Sequence, residues 1–325
     1  GWDRLVEPAV RCASEGYRLG SFRRRALVRY AQCLRRAGGE AAGLLLGPRG
    51  EVPKQGARLR QPELAATLAR VAEHGADDFY QGEIARGVVE DMSASGGWIT
   101  ARDLVRMPEP QVVEPVRGTY RGFDLYTLPP PASGWVVVLA LNILEQASAG
   151  QLAAAGPGRM VWLAEALRIA HRHRTFRPVP SVSDYEEAVA AKTSKDRARR
   201  VVRSLARLGG GETTHFSVAD AEGTLVGVTQ SLNSYFGAKV ACHGLGFLYN
   251  DYMREFVAGV EHHPYALRPW AAPHSSMCAT VLARDGAPCL VLGSPGDDRI
   301  ISAVVQVASH WVDVGAGIRE AVAAF

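Results

Sequence analysis

Residues 209–220 read Gly-Gly-Gly-Glu-Thr-Thr-His-Phe-Ser-Val-Ala-Asp, and the first threonine, Thr213, is placed where it could do covalent chemistry. The glycines make the preceding backbone pliable and exposed, and His215, Phe216, Ser217 and Val218 alternate with the period of a strand. A threonine at such a loop-to-strand entry becomes a nucleophile if the chain is cut just before it. Its freed α-amine then lies within reach of its own hydroxyl and can act as the base. The same stretch also fits two ordinary strand-edge threonines, Thr213 and Thr214, after a loop. Metal chemistry is not expected. The nine histidines include His171-x-His173 and His262-His263, but neither pair has the helical i, i+4 ligand spacing, and no carboxylate or cysteine sits at motif distance.

A chain of 325 residues holds one large domain or two ordinary ones, and 47% hydrophobic with 22% charged residues is the composition of a soluble globular protein. The net charge of +4 comes mostly from arginine, with lysine only at 54, 192, 195 and 239. Arg23-Arg24-Arg25 and the run from Arg197 to Arg203 read as solvated helix faces, because acidic residues are nearly as numerous, and nucleic-acid binding is not supported. Five cysteines without a C-x-x-C pair speak against a disulfide framework or a structural zinc site. No run of 18 apolar residues exists to span a membrane, and no signal peptide is expected. Gly1 opens straight into mid-domain-like sequence (Trp2 to Val10), so the compartment stays open.

Helical periodicity covers residues 1–40, a Gly/Pro-containing loop runs from Gly43 to Gln61, and Pro62 suits the first turn of the next helix. One helix is expected over about 78–95, broken by Gly96-Gly97, with Thr100 and Asp103 as an N-cap and its acidic first turn. Val112–Tyr120 and Phe123–Leu128, joined by Arg121-Gly122, form a plausible hairpin. Pro129-Pro-Pro-Ala-Ser-Gly134 delivers the chain into an apolar helix, Val136–Leu144, followed by helices over about 159–173 and 184–207. Strands are expected at 214–220, 224–231, 238–242, 279–283 and 288–293, with a closing helix over 299–313. Helices first and sheet second point to a layered α+β fold rather than βαβ repeats.

Seven stretches, in order, resemble the γ-glutamyltranspeptidase family of the N-terminal-nucleophile hydrolases. They are Gln61–Leu64 with Phe79–Gly82, Gly118–Gly122, Pro129–Gly134, Glu212–Ser217, Thr229–Asn233, Ser275–Met277, and Gly293–Gly296 with Arg299–Ile301. The resemblance implies a four-layer αββα sandwich made by self-cleavage between Glu212 and Thr213. Residues 1–212 would form the large fragment and 213–325 the small one, the two remaining partners in one structural domain. It implies Thr213 as nucleophile, Ser231 in the place of a positioning threonine, and backbone N–H groups of Gly296 and Asp297 as the oxyanion hole. Ser275 and Ser276 would hold a substrate α-carboxylate and Asn233 its amino end. The implied substrate is a small γ-glutamyl amide such as glutathione, and no cofactor is called for.

The sequence departs from the family pattern at four places. Asp297 stands where a second glycine is usual, which puts a carboxylate beside the oxyanion and strains a left-handed backbone. Glu255 replaces the aspartate that grips the substrate's ammonium, and Tyr252 replaces a nearby glutamine. Trp135 follows Ser133-Gly134, placing a bulky ring near the expected site. The part of the family's large fragment that bears the carboxylate-binding arginine is not in this sequence, and two hydroxyls do not readily replace a bidentate clamp. These departures keep two alternatives open. One is a biosynthetic homologue that cuts a non-glutamyl amide or a C–C bond next to a carbonyl. The other is a catalytically silent relative that uses the fold for interaction. A biosynthetic specialist would be cytoplasmic and a typical member exported.

Overall fold

The computed structural model describes residues 1–153, 156–176, 185–196, 198, 213–260 and 262–324. Glu212, the glycines before it and residues 199–207 of the helix expected over 184–207 lie outside the described residues, and the helix described within that range ends at Thr193. The chain divides into two compact units, Gly1–Gln111 with Ser234–Asp251, and Val112–Asn233 with Tyr252–Phe325.

The first unit is mainly helical: α1 (Trp2–Glu15), α2 (Ser21–Ala37), α3 (Gly39–Leu45), α4 (Pro62–His74), α5 (Asp77–Gln81), α6 (Glu83–Ser95) and α7 (Ala101–Val105). Two short strands, β1 (Tyr17–Arg18) and β2 (Arg58–Leu59), pair antiparallel. Leu27 and Leu34 on one face of α2 pack with Leu19, Leu45 and Leu46 into a small core. The single helix expected over 78–95 is two helices. The Asp78 carboxylate takes both Arg70 N–H groups and the Glu83 amide, and Gly82 sits so close that a Cβ there would fall 2.1 Å from Asp78 Oδ1. The expected capping box at Thr100 and Asp103 is present. The strand expected at 238–242 is absent: Phe236, Gly237 and Lys239 all have positive φ, which cannot extend, and only an isolated bridge, Ala241 to Leu248, remains. This returning segment is held to its own unit by Thr67 Oγ1 donating to Leu245 O and by the Tyr249 hydroxyl donating to Asp91.

The second unit holds the sheet. β3 (Val116–Tyr120), β4 (Phe123–Thr127), β7 (Thr280–Arg284) and β8 (Ala287–Leu292) form one antiparallel sheet in the order β3-β4-β7-β8. β5 (Thr214–Ala219) and β6 (Leu225–Gln230) form a separate hairpin between β4 and β7 in sequence. The turn Arg121-Gly122 has φ of 51° and 82°, as a two-residue hairpin requires, although β3 starts at Val116 rather than at 112. Helix α8 (Gly134–Leu144) is apolar on every side because it is buried on every side, and it presses on β3 closely enough that a Cβ at Gly118 would meet Val138. α9 (Ala149–Ala153), α10 (Pro157–Phe176), α11 (Tyr185–Thr193) and α12 (Arg299–Ser309) accompany it, and Leu163, Ala166, Ile169, Ile301 and Val305 join the same core. The closing helix ends at Ser309 in a wider π turn (His310–Val314), where Asp313 accepts the hydroxyls of Tyr120 and Ser309, and a short α13 (Ile318–Ala323) follows.

Candidate active site

Thr213 stands one residue before β5. The β5–β6 register pairs Thr214 with Gln230, so Thr213 faces Ser231 across the hairpin. The Thr213 hydroxyl donates to Ser231 Oγ at 3.3 Å, and Ser231 Oγ also accepts the Asn233 amide at 2.8 Å. Asn233 has a φ of 74°, a left-handed conformation that asparagine tolerates better than most residues, and its Nδ2 donates to Glu255 Oε1 at 2.9 Å. Tyr252 and Glu255 come from one 3₁₀ turn, Tyr252–Glu255. Together with Thr213, Asn233, His274, Ser275, Ser276 and Asp297 they line one small cleft.

The opposite wall is the turn that leads into α12. Gly293 closes against β5, for a Cβ there would lie 2.1 Å from His215 Nδ1. The His215 ring is set by Thr229 Oγ1 at 2.8 Å and Ser217 Oγ at 3.1 Å, and burial lowers its pKa. Gly296 has φ 132° and Asp297 φ 54°, so both stand in the left-handed half of backbone space that favours glycine. Burial first, and the neighbouring Asp298 second, raise the Asp297 carboxyl above its ordinary value. Within this second unit the structure therefore brings together Thr213, Ser231, Asn233, Tyr252, Glu255, Ser275, Ser276, Gly296 and Asp297, each singled out by the sequence. No cluster of metal-ligating side chains occurs among the described residues. A threonine hydroxyl, a tight turn and paired serines around one cleft are parts that acyl transfer can use.

Comparison with known proteins decides the family, because the model described as Gamma-glutamyltranspeptidase matches residues 1–325. The chain belongs to the gamma-glutamyltranspeptidase family. A glutathione hydrolase proenzyme of Escherichia coli (strain K12) is 33% identical over 98% of this chain, and an acylase ACY 1 proenzyme of Pseudomonas sp. (strain SE83) is 32% identical over the same share. The chain spans 59% of the length of each of these relatives. Among solved structures, a cephalosporin acylase from Bacillus halodurans superposes with a TM-score of 0.82 at 22% identity, over 95% of this chain and 58% of that one. The gamma-glutamyltranspeptidase of Helicobacter pylori gives 0.57 at 26% identity, over 63% of this chain and 58% of that one.

Two residues of the site are ones that reading the sequence missed. Arg174, at the end of α10, has a side chain only 5% exposed. Its Nε donates to Ser133 Oγ at 3.0 Å, its Nη2 to Ser276 Oγ at 2.7 Å, and its Nη1 to the Asp298 carboxylate. The Ser133 hydroxyl in turn donates to Ser275 O at 2.6 Å, so one guanidinium ties the entry to α8, the serine pair and the start of α12 into a network. The sequence carried a signal for this. Ala166, Ala170 and Arg174 repeat at i, i+4, so Arg174 continues a buried face one residue past the expected end of its helix. The second is His274, packed against the Tyr265 ring and pushed down to about 3 by burial, with Arg174 adding to the effect. It is therefore a neutral imidazole, and its approach of 4.0 Å to Glu255 is not an ion pair. Trp135 corrects an expectation: its ring is buried in the core around α8 rather than beside the cleft, because α8 starts at Gly134 and turns that position inward.

Proposed function

We propose that this chain carries the catalytic centre of an N-terminal-threonine hydrolase or acyltransferase that works through an acyl-enzyme. In this reading the backbone is cut between Glu212 and Thr213. The fragments 1–212 and 213–325 stay associated as a four-layer αββα sandwich, and the new terminus arms the hydroxyl. The observation that carries the reading is the Thr213 hydroxyl held 3.3 Å from Ser231 Oγ in a cleft shared with Ser275, Ser276 and Asp297. The Thr213 Oγ proton passes to its own α-amine as Oγ bonds the substrate carbonyl carbon. The N–H groups of Gly296 and Asp297 receive the oxyanion. The C–N bond then breaks, and the leaving amine takes the proton. Water or an acceptor amine resolves the ester by the same steps in reverse.

Relatives named glutathione hydrolases make γ-glutamyl amides such as glutathione the first substrate class to test. Ser275 and Ser276 would hold the α-carboxylate, and Asn233 with Glu255 the amino end, beside Tyr252. A second reading keeps Thr213 and changes the acyl group. It is favoured by the Asp297 carboxylate on Ser276 and by a relative named an acylase. Release of nitroaniline from a γ-glutamyl anilide tests the common mechanism. Turnover that falls to background in Thr213→Ala supports it, and turnover that survives the substitution overturns it.

A further inference from the structure

We infer that Asp297 is a specificity-determining residue that turns the cleft away from acyl groups bearing a carboxylate at the Ser276 end, and toward acyl groups that are uncharged or carry only an amine there. The inference rests on the acyl-enzyme reading above and names the substrate class it leaves open.

Asp297 Oδ1 lies 3.4 Å from Ser276 Oγ, and Asp298 Oδ1 lies at the same distance, so two carboxylate oxygens compete for one serine proton. The remaining side of that hydroxyl is taken by Arg174, whose Nη2 donates to it. The guanidinium is further committed to Asp298 and to Ser133. An acyl-chain carboxylate accepted by Ser276 would therefore come to rest a few ångströms from the Asp297 carboxylate. Like charges at that range, away from bulk water, disfavour each other strongly. Glu255 adds a third carboxylate on the facing wall, already engaged by Asn233 Nδ2, and the cation bonded to Ser276, Arg174, is already paired with Asp298. Arg174, Asp297 and Asp298 around Ser276 sum to one net negative charge, which a further carboxylate increases and a methylene or an amine does not. The left-handed φ of 54° at Asp297 fixes the direction from which its side chain leaves the turn, so the carboxylate is built into the wall rather than swung in from a mobile loop.

The test uses the full chain and four nitroanilides that share a four-carbon reach: butanoyl, 4-aminobutanoyl, γ-glutamyl and glutaryl. The wild-type protein is expected to cleave the 4-aminobutanoyl or butanoyl anilide with a kcat/KM at least tenfold above that of the glutaryl anilide. Asp297→Asn keeps the side chain's shape and the strained backbone but removes the charge, and it is expected to shrink that ratio about tenfold, mainly through KM for the glutaryl substrate. Asp297→Gly separates charge from backbone by relieving the φ as well. A wild-type protein that prefers the glutaryl anilide overturns the inference. So does a ratio unmoved by Asp297→Asn, or a change confined to Asp297→Gly and equal for all four substrates. In those cases cleavage still depends on Thr213, and the proposed function stands. If none of the four is cleaved in a Thr213-dependent way, the proposed function falls and the inference with it.

Discussion

In the proposed mechanism Thr213 needs a neighbour that fixes its rotamer without competing for the substrate, and Ser231 is placed to do so, accepting the Thr213 hydroxyl and the Asn233 amide. Ser231→Ala is expected to leave the fold intact and lower kcat about 10- to 100-fold with KM within a few-fold, because a small misplacement of a nucleophile costs on that order. Ser231→Thr restores the hydroxyl and is expected to restore the rate. An unchanged kcat in Ser231→Ala would remove Ser231 from the mechanism. Arg174 acts one step back from the chemistry. Its removal leaves the buried side of the Asp298 carboxylate without its cation and two serine oxygens without a donor, so Arg174→Gln should cost about 3 kcal/mol in denaturant unfolding. Thr213, the serine pair and Asp297, which line one cleft, stood out in the sequence because each belongs to a short motif. Arg174 did not, because a buried arginine among many solvated ones differs only in the face of the helix it occupies.

At the scale of elements, the turn from β8 into α12 reaches Thr213 only because Gly293 lets His215 approach. Gly293→Ala places a methyl group against that imidazole. It is expected to lower both thermal stability and kcat/KM, whereas Gly150→Ala, in a helix with nothing within 4 Å, should lower neither. The hairpins and the apolar helix α8 follow from local chemistry, a two-residue turn and an unbroken run of Val and Leu. The failures at 78–95 and 238–242 have a different cause. Gly82 divides one helical pattern through a contact with Asp78, and positive φ at Phe236 and Lys239 bends an apolar run that has strand-like composition. Neither event is written in the periodicity of the residues involved. Asp78, held below the usual carboxylate range first by the Arg70 hydrogen bonds, should contribute stability above about pH 4 that fades as acid protonates it. Asp78→Asn is expected to lower the thermal midpoint at pH 7 and to narrow the gap from wild type at pH 3.

At the scale of the whole molecule, the second unit holds two histidines whose neutrality is part of its packing. Burial pushes His274 down to about 3 and His171 down to about 4, against about 6.5 in an unfolded chain. The unfolded state therefore binds more protons below pH 6.5, and the stability these residues confer is complete above that value and is lost progressively toward pH 4 and below. Replacing both with glutamine should flatten this acid limb of a thermal-stability profile, and an unchanged limb would show that other groups set it. The mixed helix-and-sheet class was legible from the order of patterns along the chain, while the division into two compact units was not, since residues 234–251 return to the first unit over a long sequence distance. The measurement that bears most directly on the central claim is the intact mass of the purified chain, with sequencing of any new N-terminus. Self-cleavage predicts that the 34.9 kDa chain is replaced by two fragments, one beginning Thr-Thr-His-Phe from Thr213, and that Thr213→Ala stays whole. An active wild-type protein that remains one uncut chain would contradict it.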